Sequence, residues 1–286
     1  MTTDPASLMR HVSACNNAVL PGERLALRIG PAQVGWVRPE TARCLLSLGA
    51  GEDGGAVVLP SADALARAAR ALADEGRYRW RGEAFDVRAT PDGPVLGQLD
   101  RGALPSFGAL AWGVHVNGLV RRPKVRRPKG QEAGLHLWVA RRARDKLLDP
   151  GKLDHLVAGG VASGYGLEDT LAKEAEEEAG LPPALALRAR RVATIGYAMD
   201  RPEGLRRDVL ACYDLELPES VQPRPVDGEV EAFELWPVEA VLDRVRRTDE
   251  FKFNVSLVLI DLFLRLGMVS EPEAAALRSA LDRRGW

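Results

Sequence analysis

The chain has 286 residues, enough for one large domain or two ordinary ones, each with a core of its own. Hydrophobic residues make up 46% of it and charged residues 28%, which is the balance of a soluble globular protein. The 39 basic and 40 acidic side chains leave a formal net charge of −1, so bulk electrostatic attraction to nucleic acid or to an anionic membrane is not indicated.

The first hundred residues contain the pattern of a small α/β unit. Hydrophobic periodicity and capping residues predict helices at residues 4–13, 39–47 and 61–75 and strands at residues 24–29, 34–37 and 83–89. Residues 90–104 are rich in Gly, Pro and Asp and interrupt this pattern. We therefore predict an N-terminal α/β accessory domain at residues 1–105 and a second domain at residues 106–286.

The rest of the chain mixes strands and helices without the regular βαβ rhythm of a parallel sheet. The predicted strands lie at residues 110–120, 135–142, 190–197 and 208–217, and the predicted helices at residues 237–246, 253–266 and 272–283. Trp112 and Val114 share one face of the first strand, and we expect Leu137 and Val139 of the second strand to join them in one core. The pattern favours the α+β class, with a mixed sheet flanked by helices.

A basic run, RRPKVRRPKG, separates the first two of these strands at residues 121–130. One interpretation is a nucleic-acid-binding patch, and the other is a solvated hairpin loop. The run contains two prolines and no interleaved aromatic residue, which favours the loop.

A glycine-rich loop followed by an acidic helix occupies residues 159–181. Gly159, Gly160, Gly164 and Gly166 allow the backbone there to approach a ligand closely. The apolar stripe that follows has helical spacing, and Gly180 with the two prolines after it predicts the end of the helix.

Three glutamates of this helix share one face, because Glu174, Glu177 and Glu178 lie at positions i, i+3 and i+4. Like charges at these spacings cost roughly 0.2–0.5 kcal/mol per pair, and acids in a last turn oppose the helix dipole. A divalent cation reverses both penalties, since Mg²⁺ and Mn²⁺ prefer carboxylate oxygens. An acidic run seen alone is more often a solvated face, but the flanking glycines favour a metal site.

These residues resemble the Nudix box, whose pattern is Gly, five residues, Glu, seven residues, Arg-Glu, an apolar residue, any residue, Glu-Glu, any residue, Gly and an apolar residue. The positions that match in register are Gly159, Glu174, Ala175, Glu177, Glu178, Gly180 and Leu181. Two positions differ, since Tyr165 replaces the first Glu and Lys173 replaces the Arg. In the family these two residues form a salt bridge that braces the loop against the helix, so the difference puts that brace in doubt.

A narrower resemblance covers most of the chain. Its phrases are GVHVNG at residues 113–118, LWVARR at 137–142, PGKLD at 150–154, VAGG at 157–160 and FKFN at 251–254. They resemble Nudix proteins with an extra N-terminal domain, related to the Nudix part of fungal thiamine pyrophosphokinase fusions. That group is similar to enzymes that convert thiamine diphosphate, or its oxidised analogues, to the monophosphate and phosphate. It often lacks the first Glu of the box.

The resemblance implies a Nudix α/β/α sandwich with a mixed sheet, preceded by the small α/β domain. It also implies a diphosphatase in which Glu174, Glu177 and Glu178 hold Mg²⁺ or Mn²⁺, helped by the Gly159 carbonyl. The general base stays open between Glu174 and a downstream acid, either Glu229 or Glu231.

Substrate contacts are predicted from residues near the glycine loop. Arg141, Arg142, Lys152 and Gly160 are candidates for the phosphate oxygens. Trp112, Trp138 and Tyr197 are available as an apolar wall for the organic end, and His115 and Asn117 lie on the strand face opposite Trp112.

Two alternative functions stay open. One is a hydrolase of nucleoside diphosphate derivatives such as ADP-ribose or NADH, and the other is a catalytically silent Nudix domain that binds a regulatory ligand. The N-terminal domain is predicted either to shape the substrate cleft or to form a homodimer interface. We expect a small-molecule diphosphate as the ligand, with no nucleic-acid or membrane partner.

The cellular location is predicted from what the sequence lacks. Cys15, Cys44 and Cys212 are too few and too scattered for a disulfide framework or a cysteine zinc site. The first residues lack the apolar core of a signal peptide, and no apolar run reaches the length of a membrane span. We therefore expect a cytoplasmic protein.

Overall fold

The computed structural model describes residues 6–122 and 134–282. Residues 123–130 of the basic run lie outside the described residues, so its two interpretations stay open. Among the helices that are described, none is both long and apolar enough to cross a membrane.

The N-terminal part contains a small mixed sheet, helices on it, and a separate hairpin. In chain order its elements are α1 (Ala6–Cys15), β1 (Leu25–Ile29), β2 (Ala32–Val37), α2 (Pro39–Ser47), β3 (Gly51–Asp53), β4 (Ala56–Leu59), α3 (Ala62–Asp74), β5 (Ala84–Val87), β6 (Gly97–Asp100) and α4 (Leu104–Phe107). The sheet has the order β2-β1-β4-β3, and β5 pairs with β6 as an antiparallel hairpin.

The three predicted helices and three predicted strands of this part are confirmed. In α3 the hydroxyl of Ser61 accepts from the Ala64 amide at 3.2 Å, so a serine cap begins the helix. Leu65 and Leu72 of its apolar stripe are buried in the N-terminal core. β3 was not predicted, because its three residues are polar or glycine and fully exposed, which leaves no alternation to detect.

The C-terminal part is built on a seven-stranded mixed sheet. Its elements are β7 (Leu110–Arg122), β8 (Gly134–Arg142), β9 (Leu153–Asp154), β10 (Val157–Gly160), α5 (Leu167–Ala179), α6 (Pro183–Ala186), β11 (Arg190–Arg201), β12 (Gly204–Glu216), β13 (Val230–Pro237), α7 (Val238–Arg247), α8 (Val255–Arg265) and α9 (Glu273–Leu281). The order is β11-β12-β7-β8-β13, with β10 added to β7 and β9 to β8. The β7–β12 pair is parallel. The predicted α+β class with a mixed sheet is confirmed.

Each face of this sheet carries its own core. Val114 and Val116 of β7 face α5, together with Trp138 of β8. Leu137 and Val139 face α8 instead, so the expectation that they share a core with Trp112 is wrong. The β7–β8 register explains the difference, since Leu137 lies opposite Leu119 and points to the same face as that residue.

Helix α8 is buried on all sides. Every residue from Val255 to Phe263 is buried, because the sheet covers one side while α1, α7 and α9 cover the others. Leu8 and Val12 of α1 belong to this same core. The first helix therefore packs with the C-terminal part, and the domain boundary near Pro105 stays a prediction.

The segment DGEVEAF, which contains both candidate downstream acids, is mostly strand. Val230 begins β13, which pairs with β8 through a bulge between Val230 and Ala232. Only Glu229 of the two candidate acids precedes the strand, while Glu231 lies in the bulge. A polar edge with irregular register hides the alternation that identifies strands.

Candidate functional site

The acidic helix begins directly after the glycine strand and loop. β10 pairs with β7 so that Gly159 lies opposite Val114, and residues 161–166 lead from it into α5. The Gly166 amide donates to the Asp169 carboxylate at 3.1 Å, which caps the first turn. Gly180 ends the helix with a φ of 62°, a left-handed conformation that favours glycine.

Helix α5 uses one face for packing and leaves the other to its acids. Leu171, Ala175 and Ala179 are buried in the core between α5 and the sheet. Glu174, Glu177 and Glu178 lie toward β10 and the surface beside it, with exposure that decreases from Glu177 to Glu178. The helical spacing seen in the sequence therefore brings the three side chains to one face of α5.

Glu178 is a buried carboxyl group that forms no ion pair with any residue in the described parts of the chain. The residue is only 8% exposed, and its Oε2 accepts from the Ala158 amide at 3.0 Å. Burial raises its pKa well above the ordinary value, which outweighs the opposing effect of that hydrogen bond, and the charges of Asp154 and Glu174 raise it further. The group therefore favours a proton or a metal ion.

Glu174 packs directly against the glycine strand. A Cβ atom at Gly159 would overlap Cγ and Cδ of Glu174, so glycine here allows the Glu174 side chain to lie directly on the strand. Burial raises the pKa of Glu174, the Lys173 ammonium opposes that rise, and the charges of Glu177 and Glu229 add to it. Glu229 is therefore close enough to Glu174 for their charges to interact.

Lys173 supplies the positive charge for the two outer acids. Its ammonium lies 2.6 Å from Glu177 Oε2 and 3.3 Å from Glu174 Oε1. Its pKa is raised, chiefly by the hydrogen bond to Glu177. Tyr165, at the other position that differs from the box, is 48% exposed. The loop-to-helix brace of the family is therefore replaced here by a contact of Lys173 with the acids.

This donor set suits a hard divalent cation. Glu174 packs against the glycine strand, Glu178 accepts from the Ala158 amide of that strand, and the Lys173 ammonium bridges Glu174 and Glu177. Carboxylate oxygens are the ligands that such cations prefer. Glu174, Glu177 and Glu178 are the residues that would hold the ion. The Gly159 carbonyl stays a predicted ligand.

A second group of potential metal ligands lies behind Glu178. Ligand atoms of His115, Asp154 and His155 lie within 4.8 Å of one another. However, Asp154 Oδ2 lies 2.6 Å from Arg142 Nη1 and 3.6 Å from Lys252 Nζ. Because two cations already neutralise this carboxylate, we interpret the cluster as a buried ion-pair network and call it the Asp154 network.

The two histidines of the Asp154 network are neutral. Burial lowers the pKa of His115 well below the ordinary value and that of His155 to about 4. Their Nδ1 atoms are 3.1 Å apart, so one ring donates and the other accepts. Burial alone would raise the pKa of Asp154, but Lys252 and Arg142 outweigh it and keep the group ionised.

The two candidate downstream acids differ in their position. The Glu229 carboxylate forms an ion pair with Lys146, which the sequence did not indicate. Burial raises the pKa of Glu229, but the Lys146 hydrogen bond and charge outweigh it, so the pKa is lowered overall. Glu231 instead accepts from the Arg144 amide at 3.2 Å. The charge interaction with Glu174 thus favours Glu229 over Glu231 as a member of this site.

The predicted substrate contacts fall in different places. All three nitrogen positions of the buried Arg142 guanidinium are engaged, by Asp154 and by the carbonyls of Leu148 and Asp149, so we replace its predicted substrate contact with a structural role. Arg141 is half-buried and donates to the Gly151 carbonyl at 3.3 Å. Lys152 lies near Asp149, and its charge acts on His11 of α1, on the α8 side of the sheet.

The three aromatic candidates for the apolar wall differ in their burial. Tyr197 is fully buried and donates to Asp208, and Trp138 is buried in the α5 core, so neither is available as a wall. Trp112 is half-buried, and its indole donates to the Pro91 carbonyl at 3.0 Å. His115 and Asn117 are buried, and they form hydrogen bonds with His155 and Asp214 respectively.

Comparison with known proteins identifies the same region. Residues 120–255 match the sequence model of the NUDIX domain family. The chain is 44% identical over 195 residues to Nudix hydrolase 20, chloroplastic, and 42% identical over 194 residues to Nudix hydrolase 24, chloroplastic, both from Arabidopsis thaliana. Each match covers 68% of this chain and 50% of the relative, so the chain spans about half the length of these relatives.

The chain is also similar to solved structures, one of which is DR0079 from Deinococcus radiodurans. The two chains share 24% sequence identity with a TM-score of 0.42, and the match covers 62% of this chain and 97% of that one. The part of the chain that matches the family contains β10, α5 and the three acids. The chain therefore carries a NUDIX domain in its C-terminal part.

Proposed function

We propose that the chain hydrolyses a diphosphate bond with a divalent cation held by Glu174, Glu177 and Glu178. The observation that carries the proposal is Glu178, a buried carboxyl group with a raised pKa that shares a helix face with two further carboxylates and has no ion-pair partner within residues 6–122 and 134–282. A bound cation would stabilise the ionised carboxylate in place of the protonated group. The names of the two Nudix hydrolase relatives support a hydrolase.

In this proposal the cation, Mg²⁺ or Mn²⁺, neutralises the diphosphate and lowers the pKa of the attacking water. The chain's own residues position the reactants, which is the main requirement of phosphoryl transfer. We propose Glu174 as the general base, because its pKa is raised and it lies beside Glu229 at the edge of the glycine strand. Glu229, whose pKa is lowered by Lys146, stays ionised and acts on Glu174 through its charge.

We propose thiamine diphosphate, or one of its oxidised analogues, as the substrate, cut to the monophosphate and phosphate. Four of the phrases that carry the narrower resemblance meet in the Asp154 network. His115 belongs to GVHVNG, Arg142 to LWVARR, Asp154 to PGKLD and Lys252 to FKFN. Their meeting directly behind Glu178 supports the view that these phrases serve one site.

One panel of substrates tests both levels of the proposal. Purified protein with Mg²⁺ is incubated with thiamine diphosphate, oxythiamine diphosphate, ADP-ribose and NADH, and the products are separated by chromatography. We expect the highest kcat/KM for a thiamine compound, with thiamine or oxythiamine monophosphate as product. A higher kcat/KM for AMP release from ADP-ribose or NADH would contradict thiamine diphosphate as the substrate, but it would still support hydrolysis of a diphosphate bond.

Glu178→Gln and Glu176→Gln are the matched pair for this panel. Glu176 lies on the same helix but is exposed and points away from the other acids. We expect hydrolysis to be lost only in Glu178→Gln. No hydrolysis of any compound by the wild-type protein, with Mg²⁺ still binding, would favour the silent regulatory domain.

A further inference from the structure

The glycine loop between β10 and α5 is attached to the N-terminal part through Ser163. The Ser163 amide donates to the Ala84 carbonyl at 2.8 Å, and the Ser163 hydroxyl donates to Asp86 Oδ1 at 2.7 Å. The Gln98 amide donates to the same hydroxyl at 2.5 Å. All three partners lie on the β5–β6 hairpin, which is distant in sequence from the loop.

The hairpin also packs on the glycine strand itself. Phe85 is buried in the N-terminal core, and a Cβ atom at Gly160 would lie 2.7 Å from its ring carbon Cζ. The ring therefore rests on the residue next to Gly159, against which Glu174 packs. Gly97 of β6 lies against Leu65 of α3, so the hairpin is fixed to the N-terminal core.

Apart from the hairpin, the loop is held mainly at its two ends, where the Val161 amide donates to the Trp112 carbonyl at 2.9 Å and the Thr170 hydroxyl donates to the Gly166 carbonyl at 2.8 Å. Residues 161–166, with the sequence VASGYG, carry no Asp, Glu, Lys, Arg or His, so no ion pair can tie them to α5. Tyr165 is exposed, and Lys173 is engaged with Glu174 and Glu177. Asp86 is itself held by Arg88 at 2.9 Å, which orients its carboxylate toward Ser163.

We infer that Ser163 and Asp86 are positioning residues, through which the N-terminal hairpin fixes the glycine loop and so the geometry of the acidic site. This inference rests on the proposed function for its catalytic part. Residues that orient the ligands of a metal without touching it commonly change metal affinity or activity by about 10- to 100-fold when removed.

The test compares Ser163→Ala and Asp86→Asn with Ser163→Thr and Ser61→Ala. Threonine keeps the hydroxyl group that Asp86 and Gln98 bind. Ser61→Ala removes the α3 cap and so weakens the N-terminal part without touching the loop. Each variant is measured for Mg²⁺ affinity by calorimetry, for hydrogen exchange at residues 161–166, and for kcat and KM.

For Ser163→Ala and Asp86→Asn we expect about tenfold weaker Mg²⁺ binding, faster exchange in the loop, and about tenfold lower kcat with little change in KM. Ser163→Thr is expected to keep wild-type affinity within about twofold, and Ser61→Ala to change only the melting temperature. Mg²⁺ affinity and kcat equal to those of Ser61→Ala would overturn the inference.

The Mg²⁺ titration and the exchange measurement separate this inference from the proposed function. If the wild-type protein hydrolyses none of the compounds but Ser163→Ala still weakens Mg²⁺ binding, the positioning role holds and the proposed reaction fails. If the wild-type protein does not bind Mg²⁺, both are wrong. An unfolded Ser163→Ala variant leaves Asp86→Asn to decide.

Discussion

Two groups of acids lie near helices on opposite faces of the same sheet, and they differ in how their charges are matched. On the α8 side, Asp261 lies 2.7 Å from both Arg265 and Arg278, and Asp214 lies 2.6 Å from Arg265. On the α5 side, the buried Glu178 accepts from the Ala158 backbone amide and pairs with no cation among the residues that the structure describes. The acids of the first group are paired with arginines, whereas Glu178 is paired with a backbone amide.

The difference separates structural from functional acids. A buried charge is tolerated when paired cations and hydrogen bonds compensate its lost hydration. Asp214 and Asp261 meet that condition within the chain. Glu178 has a backbone donor and a raised pKa, so without metal its carboxyl group favours a proton. In the proposed function a divalent cation replaces that proton, because such a cation prefers oxygen ligands.

The largest effect on stability is expected from the matched group. Asp261→Asn removes the charge of a buried carboxylate that pairs with both Arg265 and Arg278. We therefore expect the free energy of unfolding to fall by about 3 kcal/mol. Urea unfolding measures it. Asp243→Asn, which removes an exposed ion pair with Arg247, is the control and should cost at most about 0.5 kcal/mol. Equal losses in the two variants would contradict the comparison.

Substitution of Glu178 should have the opposite balance of effects, with little loss of stability and a large loss of activity. Glu178→Gln removes a carboxyl group that is costly without metal, so the metal-free protein should keep its stability. Activity should fall by about 100-fold, or about 2.7 kcal/mol in the activation free energy, because one ligand charge is lost. Steady-state kinetics with thermal unfolding in EDTA checks both. A large loss of stability would make Glu178 a structural acid like Asp261.

Metal should stabilise the protein through the α5 side alone. EDTA is expected to abolish activity, and Mg²⁺ or Mn²⁺ to restore it. At a Mg²⁺ concentration ten times its Kd, the gain in unfolding free energy is about 1.4 kcal/mol. Thermal unfolding with and without Mg²⁺ should show this gain in Asp261→Asn and lose it in Glu178→Gln. Full activity in EDTA would contradict the proposed reaction.

The smallest effect concerns pH and the Asp154 network. The folded pKa of His155, about 4, is below its ordinary value of 6.5, so its contribution to stability is complete above pH 6.5 and is lost as pH falls toward and through 4. Asp154 and Asp214 raise this pKa, and Lys252 lowers it. Between pH 6.5 and about 5.5 we expect a loss of about 1 kcal/mol. His155→Gln should reduce that slope in urea titrations, and an unchanged slope would contradict it.

The acidic helix could be predicted from the sequence because its signals are local. Gly180 as a cap and the spacing of Glu174 and Glu178 depend only on helical periodicity, and the structure places them accordingly. The same holds for α3, whose cap and stripe lie within one helix.

The parts that could not be predicted depend on long-range contacts. Arg142 lies at the end of a strand, a position that also suits a residue that binds phosphate. Its ion-pair partner Asp154 lies close to it only because β8 pairs with β9. Likewise, Ser163 looks like an ordinary loop serine until the β5–β6 hairpin is placed beside it. Spacing along the chain contains no information about such partners.

The position of α1 has a consequence for the order of folding. Arg10 near the start of the chain donates to the carbonyls of Val245, Arg246 and Thr248, and Leu8 packs in the core around α8. Helix α1 can therefore dock only after α7 and α8 have been synthesised, whereas the N-terminal sheet can form earlier. Contacts of such high sequence separation slow folding and leave apolar surface exposed in the interval. We expect α1 to be the last element to dock as the chain leaves the ribosome.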